Sequence, residues 1–159
     1  MIFIILGTQD KQFTRLLEAV DKQIQLGNIT DNVVVQSGCT KFKSKNMQMF
    51  DLVSQENFSQ YIEEADIVIT HGGVGSILTA LKKGKKIIAV PRLSKFGEHI
   101  NDHQLQIIKV FNEKGYLLPL EDLSKLGETL KMVKTFVPNS FGSKNTRFIQ
   151  FLEKSIENL

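Results

Sequence analysis

The sequence contains little cysteine and no long apolar segment, and each absence narrows the class of protein. Cys39 is the only cysteine in the 159 residues, so no disulfide can form within the chain; this fits a reducing compartment. No apolar run reaches the length that crosses a bilayer. The first residues lack the basic flank and long apolar core of a signal peptide. We therefore expect a cytoplasmic protein.

A strong excess of positive charge is also missing. The formal net charge is +3, with 42% apolar and 23% charged residues, which are ordinary values for a globular protein. Nucleic-acid-binding domains are usually more basic, so we expect no nucleic-acid partner. The chain has no repeats, linkers or low-complexity segments. We predict one domain that covers residues 1–159.

Strand and helix patterns alternate along the chain. The patterns predict strands at residues 2–6, 32–38, 47–53, 65–70, 86–91 and 115–120. They predict helices at residues 13–24, 56–64, 76–85, 101–113 and 123–133, and a last one marked by Phe148, Phe151, Leu152, Ile156 and Leu159. Strands separated by helices favour right-handed parallel crossovers. The fold class is therefore α/β: a Rossmann-like open parallel sheet with helices on both faces.

A glycine-rich loop follows the fourth predicted strand. It reads His71, Gly72, Gly73, Val74, Gly75 and Ser76. Glycine lets a ligand approach the backbone closely, and the start of a helix directs free N–H groups at an anion. We predict a phosphate or diphosphate site, with His71 donating a hydrogen bond. The alternatives are a tight turn capped by Ser76 and a buried histidine that is satisfied by the backbone.

Other loops with small or polar residues lie on the same predicted edge of the sheet. Gly7 and Thr8 follow the first strand, Ser37 and Gly38 follow the second. Ligands of parallel sheets bind at this edge, so the loops strengthen the ligand interpretation. The glycine-rich loop lacks the Gly-Lys-Ser or Gly-Lys-Thr end of a nucleotide-triphosphate loop. It also does not follow the first strand, as a dinucleotide fingerprint does, so nicotinamide chemistry is disfavoured.

A second group of polar residues follows the fifth strand. Its members are Arg92, Glu98, His99, Asn101, Asp102, His103 and Gln104. Metal binding by His99, Asp102 and His103 is disfavoured, because no zinc-type pattern or cysteine supports it. A histidine here can act as a general base. Hydrogen bonds to sugar hydroxyls suit this mixture better, and Asn101 or Asp102 can also cap the next helix.

A short basic loop at residues 40–46 carries three lysines and no acidic residue. Most such runs are solvated loops. The alternative function is contact with an anionic lipid surface.

Two segments of the chain resemble a known family. They read "ADIVITHGGVGSILTALKKGKKIIAVPR" and "FGEHINDHQ". Both resemble the carboxy-terminal, nucleotide-sugar-binding half of glycosyltransferase family 28, especially the short stand-alone subunits of two-part enzymes. The resemblance implies one half of the two-domain GT-B architecture and a UDP-sugar as donor, with no metal or other cofactor. It also implies a separate membrane-associated partner that binds the acceptor.

The resemblance assigns a role to each matching residue. It implies that residues 71–76 hold the diphosphate, with Gly7 and Thr8 beside it, and that Ser37 and Gly38 lie near the uridine. It implies that His103 and Gln104 face the donor sugar and that Glu98 and His99 line the same pocket. Arg92, which belongs to the same group of polar residues, is a further candidate for binding the substrate. Many relatives carry a glutamate that binds the ribose where this chain has Thr79.

These features together lead to a specific expectation of function. We expect a subunit that transfers a hexose, galactose, from a UDP-sugar to a lipid-diphosphate-linked saccharide in surface polysaccharide synthesis. The reaction would invert the anomeric carbon, and the partner would recruit the chain to the inner face of the cell membrane. The general base is not assigned; His99, His103 or the partner can supply it. The alternative is a non-catalytic module that binds a nucleotide sugar or scaffolds the partner.

Overall fold

Six parallel strands form one open sheet in the computed structural model, which describes residues 1–142 and 146–157. The strands are β1 (Ile2–Ile5), β2 (Val33–Gln36), β3 (Gln48–Phe50), β4 (Ile67–His71), β5 (Lys86–Val90) and β6 (Leu118–Pro119). Their order in the sheet is β3-β2-β1-β4-β5-β6, and every neighbouring pair is parallel. The predicted open parallel sheet is confirmed.

Within the described part of the chain, six α-helices connect or follow these strands. They are α1 (Thr14–Gln25), α2 (Gln55–Glu64), α3 (Val74–Lys82), α4 (His103–Glu113), α5 (Leu126–Thr135) and α6 (Thr146–Glu157). Short 3-10 turns cover Ser94–Phe96 and Leu123–Lys125. The edge strands β3 and β6 are shorter than predicted, because an edge strand pairs on one side only. Leu159, expected in the last helix, lies outside the described residues.

The sheet separates two hydrophobic cores. Side chains of β1 alternate between them: Ile2 and Ile4 face one core, and Phe3 and Ile5 face the other. Helices α1 and α5 cover the first core, while α2, α3 and α4 cover the second. The predicted helices on both faces are therefore confirmed.

Helix α6 packs on the second core. The ring of Phe148 meets Phe111 edge to face, with centroids 5.3 Å apart, and Leu152 is buried. These contacts favour core packing over a surface that docks on a membrane. Across the described ranges, no helix combines the length and apolarity that a bilayer span requires.

The chain changes direction across the sheet at β1. It runs outward from β1 to β2 and β3, and then returns to place β4 on the other side of β1. Loops that leave the carboxyl ends of β1 and β4 therefore diverge and leave a crevice between them. This is the position where open parallel sheets bind ligands.

Candidate functional site

Helix α3 begins directly at the crevice. Its N-cap residue is Gly73, and the N–H of Ile77 donates to the carbonyl of Gly73 at 3.2 Å. The N–H groups of the first turn precede this bond and have no partner within the helix. Ser76 lies inside the first turn, so it does not cap the helix as the alternative interpretation of this loop required. The helix start instead presents free backbone donors, as an anion site requires.

The glycines of the loop lack a side chain for different structural reasons. A Cβ on Gly72 would lie 2.6 Å from Cβ of Gln104, and one on Gly73 would lie 2.3 Å from Cε1 of His71. Gly72 and Gly73 are therefore required by packing inside the protein. A Cβ on Gly75 would meet nothing within 4 Å, and Gly75 is exposed. Of these three glycines, Gly75 is the one whose bare backbone faces open space.

His71 is the last residue of β4 and reaches across to the loop after β1. Its side chain is buried, and a Cβ on Gly7 would lie 2.6 Å from Nε2 of the imidazole. Gly7 also has a φ of 87°, which favours glycine. Burial first, and then the positive charge of Arg92, lower the pKa of His71 to about 4. The imidazole is therefore neutral near pH 7.

Gln104 connects three parts of the site. Its Oε1 accepts the N–H of Gly72 at 2.9 Å and the N–H of Arg92 at 3.0 Å. Its Nε2 lies 3.1 Å from Nδ1 of His71. The side chain is buried, and its amide is used inside the protein. This placement does not fit the expected contact of Gln104 with a donor sugar and favours a role in holding the loops.

Arg92 is turned into the protein rather than toward a ligand. Its side chain is 1% exposed. Nη1 donates to the carbonyls of Lys11 at 2.9 Å and Glu98 at 3.1 Å, and Nη2 donates to the carbonyl of Leu6. The guanidinium also lies 5.0 Å from the ring centroid of Phe13. The predicted ligand contact of Arg92 does not fit this burial; Arg92 joins the loops after β1 and β5.

Glu98 is also buried and forms an ion pair that the sequence did not reveal. Arg15 on α1 binds the carboxylate through Nε at 3.0 Å and Nη2 at 2.9 Å. The N–H of Leu93 donates to the same carboxylate at 3.1 Å. The predicted position of Glu98 in a sugar pocket does not fit these contacts. No spacing signal could have found the pair, because Arg15 and Glu98 are 83 residues apart.

His99 and His103 keep partial access to solvent. Nδ1 of His99 accepts the N–H of Asn101 at 3.3 Å. Burial, followed by the charges of Arg92 and His103, lowers the pKa of His99. Both side chains are therefore partly accessible, and their contact with a ligand stays a prediction.

At the start of α4, the hydrogen bond to the first helical N–H comes from Asn101, which lies one residue before the N-cap residue. The side chain of Asn101 accepts the N–H of His103 at 3.1 Å. Asp102 occupies the N-cap, but its carboxylate instead accepts two hydrogen bonds from Ser94. Within residues 1–142 and 146–157, no three His, Cys, Asp or Glu side chains are arranged to hold a metal ion.

The loop after β2 packs against the loop after β1. Gly38 has a φ of 57°, and a Cβ on it would lie 2.3 Å from the carbonyl oxygen of Gly7. Ser37 is buried, with its hydroxyl 3.2 Å from the carbonyl of Phe50, whereas Thr8 is exposed. An open groove beside this loop is lined by Gly38, Thr40, Lys41, Lys43, Met49 and Asp51. The structure therefore brings the predicted loops together at one edge of the sheet.

Thr79 lies one helical turn after Gly75. Its hydroxyl donates to the carbonyl of Gly75 at 2.8 Å. This bond uses the hydroxyl proton within α3, so Thr79 does not donate to a ligand in this conformation, and the glutamate that the resemblance leads one to expect at this position is absent.

The fold is an α/β open parallel sheet, and its fourth strand leads through Gly72 and Gly73 into the start of a helix. Residues 1–159 match the family model described as "Glycosyltransferase family 28 C-terminal domain". The match covers the whole chain, and the protein belongs to this family.

Curated relatives include UDP-N-acetylglucosamine transferase subunits named ALG13. The protein from Candida albicans is 26% identical over 119 residues, which are 75% of this chain and 36% of that protein. The Homo sapiens protein is 35% identical over 63 residues, which are 40% of this chain and 5% of that protein. The chain thus spans about a third or less of these relatives.

Solved structures agree with the fold. An NMR structure of ALG13 has a TM-score of 0.61 and 21% identity, and the match covers 95% of this chain and 94% of that one. The calicheamicin glycosyltransferase CalG4 has a TM-score of 0.62 and 16% identity, with 84% of this chain matching 33% of that one. The expected fold, equivalent to one half of a GT-B glycosyltransferase, is confirmed.

Proposed function

We propose that this chain is the UDP-sugar-binding subunit of a glycosyltransferase. The single observation that carries the proposal is the start of α3, where Gly75 faces open space beside free N–H groups. His71 stands between this helix start and Gly7, at the crevice between β1 and β4. Family membership and the names of the relatives support the same function.

The donor diphosphate is proposed to bind at the first turn of α3. Backbone N–H groups and the helix dipole stabilise negative charge there. The same donors stabilise the charge that builds on the departing UDP during transfer. The groove beside Gly38 and Met49 is the proposed uridine site, because it adjoins the diphosphate loops through the contact between Gly38 and Gly7.

The proposed donor sugar is N-acetylglucosamine. The relatives are named UDP-N-acetylglucosamine transferase subunits, and this name favours N-acetylglucosamine over the galactose expected from the sequence. The surface-polysaccharide role also finds no support among these relatives. His99 and His103 are partly exposed and are the side chains that we propose to contact this sugar.

The acceptor half is proposed to come from a partner. The described residues form one Rossmann-like unit, and GT-B enzymes react in the cleft between two such units. We propose a membrane-associated partner that binds a lipid-linked saccharide and brings this chain to the cytoplasmic face of the membrane. Direct displacement at the anomeric carbon then inverts its configuration, with the general base on the partner or at His99 or His103.

Isothermal titration calorimetry on the chain tests the proposed donor. We expect binding of UDP, and tighter binding of UDP-N-acetylglucosamine than of UDP-galactose. A chain that binds neither UDP nor either sugar nucleotide contradicts the proposal. Tighter binding of UDP-galactose would restore the galactose interpretation.

The second candidate is a binding module without catalytic activity. The position of Thr79 favours it, because the ribose carboxylate of many relatives is missing. Co-expression with a candidate acceptor-domain partner, followed by a radiolabelled sugar-transfer assay, separates the two candidates. Binding without transfer by the assembled pair would support the module.

The proposed stabilisation of the leaving UDP uses no metal ion. We expect sugar transfer by the assembled pair to persist in excess EDTA, because backbone amides and His71 supply the donors. Loss of transfer in EDTA, with recovery on adding a divalent cation, would contradict this mechanism. Unchanged UDP binding in EDTA is the matching control.

A further inference from the structure

Gln104 is a buried polar group at the centre of the site whose role the proposed function does not explain. Its side chain is 3% exposed. It contacts the loop after β4 at Gly72, the loop after β5 at Arg92, and the ring of His71. One amide therefore connects α4 with both loops and with the histidine at the crevice.

The hydrogen bonds of Gln104 determine which way its amide points. The two groups that contact Oε1 are backbone N–H groups, which can only donate. The atom that they contact must therefore be the carbonyl oxygen of the amide. The remaining atom, Nε2, is the NH₂ group and must donate to its neighbour.

That neighbour is Nδ1 of His71, at 3.1 Å. A nitrogen that accepts a hydrogen bond carries no proton, so the proton of the neutral imidazole is on Nε2. The backbone of Gly72 and Arg92 thus fixes the tautomer of His71 through Gln104.

Nε2 of His71 lies beside the start of α3, where the diphosphate is proposed to bind. A Cβ on Gly7 would lie 2.6 Å from Nε2, and a Cβ on Gly73 would lie 2.7 Å from it. The nitrogen is therefore between the loop after β1 and the start of α3. Both neighbouring positions are glycines, so no side chain covers it from these two residues.

We propose that Gln104 is a positioning residue, which holds His71 as the neutral Nε2–H tautomer and so presents a hydrogen-bond donor to the diphosphate. The part about the diphosphate rests on the proposed function. The charged and titratable groups that act on His71 are Arg92 and His99, and both, like burial, oppose its protonation. A neutral donor is therefore kept at the crevice without adding a second buried positive charge beside Arg92.

Nitrogen-15 NMR of the imidazole in the ligand-free chain tests the tautomer. In the wild type near pH 7 we expect an unprotonated Nδ1 and a protonated Nε2 on His71. The Gln104→Glu variant keeps an acceptor for Gly72 and Arg92 but offers only an acceptor to His71. We expect Nδ1 to become protonated in this variant. Gln106→Glu, on the exposed face of α4, is the control and should leave His71 unchanged.

Two NMR results would overturn the proposal. The first is a wild-type His71 with its proton on Nδ1. The second is an Nδ1 that stays unprotonated in a folded Gln104→Glu variant. A merely structural role for Gln104 does not predict the change of protonation, so the spectrum separates positioning from packing.

Calorimetry with UDP and UDP-N-acetylglucosamine tests the link to the ligand. Loss of one hydrogen bond predicts that Gln104→Leu weakens binding about two- to tenfold. The loss should be equal for both ligands and absent in the His71→Ala background, because Gln104 acts through His71. Gln106→Leu is the matched control and should bind like the wild type.

The other outcomes of this experiment are also decisive. A loss confined to UDP-N-acetylglucosamine would assign Gln104 to direct sugar contact and overturn positioning. An equal loss in the wild-type and His71→Ala backgrounds would overturn it too. If the wild type does not bind UDP, the proposed function fails, and the NMR result alone decides the tautomer. If Gln104→Leu does not fold, Gln104→Glu replaces it.

Discussion

Two glycines of one loop, Gly72 and Gly75, have opposite reasons for lacking a side chain. Gly72 packs against Gln104, whereas a Cβ on Gly75 meets no protein atom within 4 Å. A glycine in a helix costs roughly 0.5–1 kcal/mol relative to alanine. Gly75 therefore lowers the stability of α3, and no packing contact explains why a glycine is there. A backbone that binds a ligand would explain it.

The same substitution at these two positions should have opposite effects on stability. We expect Gly75→Ala to raise the free energy of unfolding by about 0.5 kcal/mol and to weaken UDP binding. We expect Gly72→Ala to lower the free energy of unfolding by about 1–3 kcal/mol, because its Cβ overlaps Gln104. Urea denaturation and calorimetry measure both quantities. Unchanged UDP binding in Gly75→Ala would contradict the assignment of its backbone to the diphosphate.

The buried histidine should make stability depend on pH. The pKa of His71 is about 4 in the folded chain, against an ordinary value of 6.5. Above the unfolded value, both states are neutral and the stability is complete; as pH falls toward 4, only the unfolded chain binds the proton. We expect this one group to remove about 3 kcal/mol of stability over that interval.

The variant His71→Gln isolates this contribution. Its side chain does not titrate, so its unfolding free energy should fall less between pH 6.5 and pH 4 than that of the wild type. Urea denaturation at the two pH values measures the difference. Parallel pH curves for the two proteins would contradict a neutral, buried His71.

Sequence reasoning found the positions of the site residues better than it found their roles. The loops at Gly7, Gly38 and His71 were predictable, because parallel strands carry their ligand loops on one edge. The inward direction of Arg92 and Glu98 was not predictable from local pattern. A charged residue in a loop is expected to be exposed unless a buried partner is known. The partner of Glu98 is Arg15, which lies far away along the chain, so the sequence did not indicate the pair.

At the level of elements, α1 and the loop after β5 are joined by a buried ion pair. The carboxylate of Glu98 is 4% exposed, and the guanidinium of Arg15 is 22% exposed. Removal of one partner leaves the other charge buried without compensation. The pair therefore matters more to stability than an exposed ion pair does.

A double-mutant cycle should reveal this connection. We expect Arg15→Met to destabilise the chain by about 3 kcal/mol, because Glu98 keeps its charge and is left with the N–H of Leu93 as its hydrogen-bond donor. The double variant with Glu98→Gln should lose less than the sum of the two single variants. Urea denaturation of the four proteins gives the coupling. Additive losses would contradict a direct ion pair in solution.

The existence and order of the elements were predictable, but several of their boundaries were not. Apolar periodicity marked every strand, yet β6 contains two residues instead of the predicted six. It pairs only with β5, and its ladder is limited to Leu118 and Pro119. Pro119 has no N–H to donate, so the strand cannot extend regularly. Pairing with a neighbour, which the sequence does not show, set these limits.

For the molecule as a whole, the basic loop at residues 40–46 is a surface loop that side-chain hydrogen bonds hold in place. Asp21 on α1 accepts hydrogen bonds from Ser44 at 2.7 Å and Asn46 at 2.9 Å. These bonds lower the pKa of Asp21. The anchored loop leaves Lys41, Lys43 and Lys45 exposed, which favours contact with an anionic surface.

Vesicle sedimentation tests this surface. We expect the chain to sediment with vesicles that contain phosphatidylserine, and to do so less after Lys41, Lys43 and Lys45 are changed to Gln. The control changes three exposed lysines elsewhere to Gln, namely Lys22, Lys82 and Lys131. Equal sedimentation of the two triple variants would show that only net charge matters. Absence of sedimentation by the wild type would leave the loop as a solvated turn.

The central position of β1 also determines when the site can form during synthesis. Strand β1 is synthesised before the other five strands of this sheet and pairs with β2, but its other edge has no partner until β4 is made, 65 residues later. The imidazole of His71 has no hydrogen bond from Gln104 until that residue, a further 33 residues along the chain, has been made. Contacts over such separations form slowly. A nascent chain that ends before α4 can therefore have strands in place and still lack an ordered ligand edge.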